Sequence, residues 1–577
     1  MPARLLSSVA VFQEARRLSP RIARIRWERP GHRLHQPNLP GAASTSRPHM
    51  SHQGTLARSA GVVAFFTLLS RILGLVRDMV VAYAFGSGAH ADAFFVAFRI
   101  PNLLRRLVAE GALTASFLPV YTDTLENRSP EEAQRVVRIT FTLLSVSVAL
   151  ISLAGVVFSP WVIQAFAPGF RTDPDKFHLA VSLNRIVFPY LFFISLVALC
   201  MGILNAQGHF AAPAASPVLL NVAMIAGALG LSRWFDPPIY GLAVGVLAGG
   251  LLQLFLQIPP LAARRIRFGF VFSLRDPAVN RIGRLFLPAA FGAAVYQLNT
   301  LVSTIFASFL PEGSVSYLWY AGRLLEFPLG VFGMALAIAA FPRLSQETSR
   351  GDEERFRQIL EESLRMVTFV MVPATIGLVV LAKPIVQVLF QRGEFDPATT
   401  VGTTKALVWY CVGMWPIAAS RILVSAFYSL QDTATPVRLS VVSFAANVAF
   451  SLVLMGPMAH AGLALANSLA AAVNVAQLLS RLRVRTGASG LGWFRSSGPR
   501  ILIAGAAMGL CLMAARTLTE AAPGTPLPRQ ILLLLGAIFG GALVYGLACA
   551  VLGVPEIHMA LDRIRRRVGR RSQTNHP

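Results

Sequence analysis

The chain has 577 residues, of which 54% are hydrophobic and only 14% charged, and it carries a formal net charge of +25. A soluble chain would hold closer to a quarter charged residues; here apolar runs of roughly 20 residues recur from end to end, each long enough to cross a hydrocarbon layer of about 30 Å as a helix. Alternating segments of about 10 residues, which a membrane β-barrel needs, are absent, and nucleic acid is excluded as a ligand because most of the basic residues fall in loops on one side of the apolar runs.

In chain order, residues 1–49 are Arg- and Pro-rich, with no apolar run of signal-peptide length. "MSHQGTLARSAGVVAFFTLLSRILG" from Met50 reads as an ordinary start, so 1–49 is expected to be a disordered basic extension or an upstream mis-annotation. Fourteen transmembrane helices are predicted, at approximately 57–85, 90–118, 136–159, 178–205, 212–232, 238–260, 284–310, 314–341, 357–382, 400–428, 436–455, 460–481, 499–519 and 529–553. The predicted fold class is an all-α polytopic membrane protein. Residues 50–283 form a first six-helix lobe with its cytoplasmic linker, 284–482 a second six-helix lobe, 483–554 two additional helices, and 555–577 a basic cytoplasmic tail. Loops rich in Arg264, Arg265, Arg267, Arg275, Arg281, Arg343, Arg350, Arg481, Arg483 and Arg485 place both termini in the cytoplasm by the positive-inside rule. Cys200, Cys411, Cys511 and Cys549 have no paired spacing and read as buried free thiols.

An internal repeat joins the two lobes. "PWVIQAFAPGF" from Pro160 recurs as "PIVQVLFQRGEF" from Pro384, with Phe166 on Phe390 and Gly169 on Gly393. Pro213 answers Pro436, Pro119 answers Pro342, Arg99 falls on Arg323 and Asp92 on Ser316, all in a register of 223 or 224 residues. Six spans, an even number, separate the copies, so the halves share one orientation and are related by a pseudo-twofold along the membrane normal. Transporters built from such repeats place substrate between the halves.

Charge inside the apolar segments is concentrated in three spans. The first holds Arg71, Arg77 and Asp78, the second Asp92, Arg99, Arg105, Arg106 and Glu110, and the eighth Arg323 and Glu326. At 100° per residue, Asp92, Arg99, Arg106 and Glu110 form one stripe within about 40°, whereas Arg105 and Arg77 lie roughly 120–140° off their neighbours' stripes. Pro101 and Gly74 are positions where these spans can bend. Arginine at mid-membrane costs about 2.5–3.5 kcal/mol, so these side chains are expected to face a watery cavity. Six Arg against four acids leave a cationic surplus suited to an anion, and the planar guanidinium fork suits phosphate.

"SRILGLVRD", "DAFFVAFRIPNLLRRLVAEGA", "FAPGF", "TIFASFLPEGSVSYLWYAGRLLEFPLGV" and "AFYSLQDTATPV" resemble the MurJ/MviN lipid II flippase family, over about residues 55–555. The resemblance implies a fourteen-helix inner-membrane transporter that moves lipid II, the undecaprenyl-pyrophosphate-linked peptidoglycan precursor, from the cytoplasmic to the periplasmic leaflet by alternating access. It implies a groove for the lipid tail in the last two helices. Family positions important for transport match Arg71, Arg77, Asp92, Arg105 and Arg323, with Ser70, Asp78, Arg99, Arg106, Glu110, Ser316 and Glu326 in support. Two positions depart from the family: Gly322 stands where an acid often precedes the eighth-span arginine, and the seventh span lacks the acid through which some members bind sodium.

The implied partners are lipid II, membrane lipids and the cell-wall synthesis machinery, with the chain acting as a monomer, no cofactor and no metal. A flippase for another polyprenyl-pyrophosphate oligosaccharide, a multidrug or cation antiporter and a cell-wall scaffold are the competing readings. No nucleotide loop, metal-ligand spacing or nucleophile motif points to an enzyme.

Overall fold

The computed structural model describes residues 51–487, 492–495, 497–519 and 525–557. The extension 1–49 and all but the first three residues of the basic tail lie outside them. The first lobe comprises α1 (Ser51–Phe85), α2 (Ala89–Arg105), α3 (Thr114–Asn127), α4 (Pro130–Val157), α5 (Ser159–Phe166), α6 (Pro174–Val187), α7 (Tyr190–Ala206), α8 (Ala211–Leu229) and α9 (Ile239–Ala263). The second comprises α10 (Pro277–Ser308), α11 (Ser314–Pro328), α12 (Met334–Arg350), α13 (Glu353–Val380), α14 (Ala382–Phe390), α15 (Pro397–Val412), α16 (Met414–Ser429) and α17 (Ala434–Thr486). Two more, α18 (Gly498–Thr519) and α19 (Leu527–Val551), complete the described part, which contains no strand.

The repeat is written into the helix boundaries. α4 and α13 begin and end 223 residues apart, and α8 and α17 begin at that offset. Local chemistry sets the register: Ser129 and Asp352, also 223 apart, each accept a backbone N–H of the first turn, from Glu132 at 3.2 Å and Arg355 at 2.9 Å. Asp173 and Asp396 repeat the device at the starts of α6 and α15, each followed by proline at the first helical position. A π-helical segment, Arg106–Leu113, joins α2 to α3, and a second, Leu329–Gly333, joins α11 to α12, beginning 223 residues later. Both widen the helix in mid-course, a feature common at functional positions.

Nine described helices are long and apolar enough to cross a membrane, or ten if α15 and α16, bent by 41°, form one span. This count is below the fourteen expected. α1 carries Arg71, Arg77 and Asp78 close together, and the second span is broken into α2, a π-helical segment and α3. α17 has 53 residues, about 80 Å of helix, but Ala459 (φ 48°, ψ −132°) divides it into two legs. Its second leg runs on to Thr486, and α10 starts at Pro277 rather than near residue 284. Cys200, Cys411 and Cys549 are buried free thiols, but Cys511, on α18, is exposed.

Helix contact without a hydrophobic driving force relies on small residues. On α9, Gly241, Gly245 and Gly249 recur every fourth residue and bring the helix against α8. A Cβ on Gly245 would stand 2.8 Å from the Ala223 carbonyl oxygen, and one on Gly249 would stand 2.7 Å from a Leu220 methyl. Backbone cannot yield as a flexible side chain can. Gly245→Leu is expected to destabilise the first lobe by about 1–3 kcal/mol through overpacking, read as a lower thermal midpoint of the detergent-solubilised protein.

Candidate functional site between the lobes

A cavity of 2870 Å³ lies between the lobes. Eight arginines line it: Arg71 and Arg77 from α1, Arg99 and Arg105 from α2, Arg106 at the start of the π-helical segment, Arg323 from α11, Arg392 after α14 and Arg421 from α16. Against them stand two carboxylates, Asp78 and Glu326. Neutral polar residues fill the remaining polar wall, including Asn102, Asn221, Gln253, Asn299 and Asn474. The same cavity runs on to a wall of Phe369, Ala374, Met508, Leu512, Ile531, Leu534 and Ile538, supplied by α13, α18 and α19. One continuous space therefore has a cationic part and an apolar part.

The charges form a chain from α1 to α11. Arg77 donates to Asp78 (Nη2–Oδ1 2.7 Å) and to Asn221 Oδ1 (3.0 Å), and Asn221 in turn donates to the Ser70 carbonyl at 3.1 Å. The second oxygen of Asp78 meets Arg323 Nε at 3.4 Å, and Arg323 also donates to Glu326 at 2.9 Å. Where the family pattern has an acid beside this arginine, the sequence has Gly322; the acids that reach Arg323 come from α1 and from one turn further along α11. Trp319 offers its ring to two cations, Arg323 at 4.8 Å and Arg99 at 5.3 Å. Arg421, which sequence reasoning passed over, donates to the Leu329 carbonyl at 2.9 Å, a group in the second π-helical segment.

Asp92 behaves differently from the arginines with which it shares a stripe. It does not line the cavity but is 1% exposed, clamped between the lobes at the end where α1 meets α2. Its carboxylate accepts four hydrogen bonds: Lys176 Nζ at 2.8 Å and the Gly313 amide at 2.9 Å on Oδ2, the Ser316 amide at 2.9 Å and Ser316 hydroxyl at 2.7 Å on Oδ1. A buried carboxylate needs its lone pairs satisfied in this way. Ser316 is spent on Asp92 and also stands away from the cavity. Lys176, in the first turn of α6, is its buried counter-charge.

Around this clamp the lobes touch through both backbone and hydroxyl groups. The Glu394 amide donates to the Tyr83 carbonyl at 2.9 Å, Ser87 and Thr399 hydroxyls meet at 2.7 Å, and the Gly169 amide donates to Ser308 Oγ at 3.0 Å. A Cβ on Gly393 would strike the Tyr83 carbonyl, and one on Gly169 the Ser308 carbonyl. Gly169 and Gly393 are repeat-related, and each packs on the end of the other lobe's first helix. That end of the molecule is sealed.

Of the residues expected from sequence, Ser70, Arg71, Arg77, Asp78, Arg99, Arg105, Arg106, Arg323 and Glu326 lie together on the cavity. Asp92 and Ser316 lie together at the sealed end, and the side chain of Glu110 falls outside the described set. Arg105, off the ideal stripe, reaches the cavity just before the helix changes to π geometry, with Nε on Asn102 Oδ1 at 2.9 Å. Among the described residues no group of three or more His, Cys, Asp or Glu is arranged to hold a metal ion.

The profile of the family described as "Lipid II flippase MurJ" matches residues 81–531. The chain belongs to that family. A probable lipid II flippase MurJ of Vibrio cholerae is 41% identical over 437 residues, 74% of this chain and 83% of the relative. The corresponding Haemophilus influenzae protein is 37% identical over 85% of this chain and 99% of its own length. A solved lipid II flippase MurJ in an inward closed conformation superposes with a TM-score of 0.70 at 26% identity, covering 85% of this chain and 98% of that one. An inward-facing multidrug transporter of the MATE family shares the fold alone, with a TM-score of 0.62 at 15% identity over 75% of this chain and 99% of that one.

The clamp has a measurable consequence. Removing one partner of a buried ion pair costs about 3–5 kcal/mol, so Asp92→Asn is expected to open the sealed end. A Ser87→Cys/Thr399→Cys pair should cross-link readily in the parent chain and several-fold less with Asp92→Asn. Unchanged cross-linking would show that the glycine contacts alone hold the seal.

Proposed function

We propose that the protein moves lipid II from the cytoplasmic to the periplasmic leaflet of the bacterial inner membrane by alternating access. The observation that carries this reading is one cavity lined both by eight arginines and by an apolar wall of α13, α18 and α19. Its two parts match the two halves of the substrate: a pyrophosphate with several negative charges, and a long hydrocarbon tail. Arginine forks bind phosphate oxygens in charge-assisted pairs, and the wall of α13, α18 and α19 gives the tail an apolar surface. No bond of the substrate changes, so the protein acts as a transporter and not as a catalyst.

In this reading the chain has fourteen spans and both termini are cytoplasmic, on the side of the arginine-rich loops. The sealed end around Asp92 then faces the periplasm. Substrate charge entering the cavity draws Arg323 away from Asp78, and release follows when the clamp end opens. Membrane potential assists the cycle: each charge crossing is worth about 2.3 kcal/mol per 100 mV, which favours outward movement of an anion and inward return of the empty cationic cavity. The protein works as a monomer, in contact with membrane lipids and supplied by the cell-wall synthesis machinery. An antiporter of organic cations is disfavoured by the same charge balance.

Complementation of cells depleted of their own lipid II flippase tests the proposal, with the chain started at Met50 and matched membrane expression. The parent should restore growth, and Arg105→Ala should not. Losing one charge-assisted phosphate contact of about 1.5–3 kcal/mol corresponds to roughly ten- to hundredfold weaker binding. Failure of the parent despite full expression would move the assignment to another polyprenyl-pyrophosphate oligosaccharide. Rescue by both would reduce Arg105 to a structural part. In vesicles, lipid II transport should slow when the potential is collapsed; an unchanged rate would remove potential from the mechanism.

A further inference from the structure

The linker between the lobes reads in sequence as a plain basic loop, yet it has a defined course. From Arg267 to Val271 it runs extended along α4, held by three side chains spaced one helical turn apart. Gln134 exchanges hydrogen bonds with the Arg267 backbone, accepting its amide at 3.3 Å. Arg138 donates to the Arg267 carbonyl at 3.4 Å, and the Thr142 hydroxyl accepts the Val271 amide at 2.9 Å. The chain then turns back, and Asp276 meets Arg135 at 3.3 Å before capping α10. Gln134 to Thr142 is about 12 Å along a helix, so the linker descends beside a membrane-spanning helix and returns.

Its side chains alternate as those of a strand do, with a change of parity at Gly269. Ile266 and Phe268 turn inward before it, Val271 and Ser273 after it, and the Phe141 ring lies 4.8 Å from that of Phe268 and 6.0 Å from that of Phe270. The outward positions are Arg265 and Arg267, then Phe270 (79% exposed), Phe272 (66%) and Leu274 (61%), and finally Arg275. The outward face is thus cationic where the linker leaves and rejoins the end of α4, and apolar at the deepest part of its course. A soluble loop would have no reason to order its residues by depth. Extended backbone of this kind is barred from the hydrocarbon core but tolerated in the hydrated interface.

We propose that this hairpin is an interfacial membrane anchor for anionic lipid. Phe270, Phe272 and Leu274 enter the upper acyl region, and Arg265, Arg267 and Arg275 bind anionic headgroups of the leaflet on the arginine-rich side. Arginine near such a surface gains attraction from its negative potential, and aromatic rings favour the same depth. Because its hydrogen bonds go to α4, and the start of α10 is tied to the same lobe through Asp276–Arg135 and Arg281–Asp123, the anchor moves with the first lobe. The inference rests on the membrane-spanning fold and not on the identity of the transported lipid.

The test uses the full chain with Cys511→Ser and a single spin label at Phe272→Cys or Arg267→Cys, in vesicles of phosphatidylcholine with or without phosphatidylglycerol. Variants are compared only where they elute and melt as the parent does. The label at 272 should be several-fold more accessible to oxygen, relative to a water-soluble nickel chelate, than the label at 267. A chelate-accessible label at 272 overturns insertion, and one hidden from both reagents assigns the face to a protein partner instead. The label at 267 should lose mobility when phosphatidylglycerol is added, and Arg265→Gln/Arg275→Gln should reduce that change. Identical spectra at 267 in both vesicles overturn the headgroup assignment.

Discussion

A guanidinium group in hydrocarbon is the constraint from which most of this structure follows. At about 2.5–3.5 kcal/mol each, eight arginines facing lipid would cost roughly 20–28 kcal/mol, more than the 5–15 kcal/mol by which a typical domain is stable. They must therefore share a hydrated space, and only a gap between two lobes is large enough to hold it. The lobes are duplicated, so that space forms on their pseudo-twofold, with charge drawn from the helices nearest the axis. α1, α2 and α11 supply five of the eight arginines.

The axis itself shows why a duplicated protein cannot stay symmetric at its centre. Asp92 and Ser316 are repeat-equivalent, as are Phe95 and Trp319, and each pair meets directly: the carboxylate on the serine hydroxyl at 2.7 Å, the rings at 4.7 Å. Two aspartates there would bring like charges into contact in a buried site, and two serines would leave Lys176 without a counter-ion. One carboxylate facing donors is the arrangement that satisfies both. Arg99 and Arg323, the next equivalent pair, avoid each other by taking Trp319 between them. Away from the axis the equivalence returns, and Gly169 and Gly393 make the same contact in opposite directions.

Much of this was legible in the sequence because it depends on composition and register. The repeat offset found from prolines, glycines and Arg99/Arg323 is the offset of the helix boundaries, since caps such as Ser129 and Asp352 are local devices. The charged spans were legible because charge in an apolar run is rare. What a single ideal helix could not convey was the change to π geometry after Arg105, which depends on packing between lobes and has no strong sequence signal. That change, with Pro101, admits Arg105 to the cavity. Asp92 was misplaced for a related reason: a stripe gives angle but not depth, and Asp92 lies nearly two turns nearer the helix start than Arg99, past the end of the cavity. Arg421 did have a signal, a lone arginine within an apolar run, but it had no acid neighbour to draw attention.

The two ends of the inter-lobe contact are held by unlike forces, and this difference gives the molecule its direction. At the sealed end, glycine backbones touch with no room for a Cβ, and the buried Asp92 carboxylate has four donors. Such a contact is either made or broken, because a small separation forfeits both the packing and the charge. In the cavity, by contrast, Arg323 meets Asp78 at 3.4 Å, loosely, and Glu326 is an exposed partner. A multiply charged anion there competes for guanidinium groups already held in place but weakly committed. In the proposed cycle, binding exchanges soft contacts between α1 and α11, while the hard contact beyond them changes only as a whole. Soft charge pairs coupled through α11 to an all-or-none clamp form the bistable element that alternating access requires.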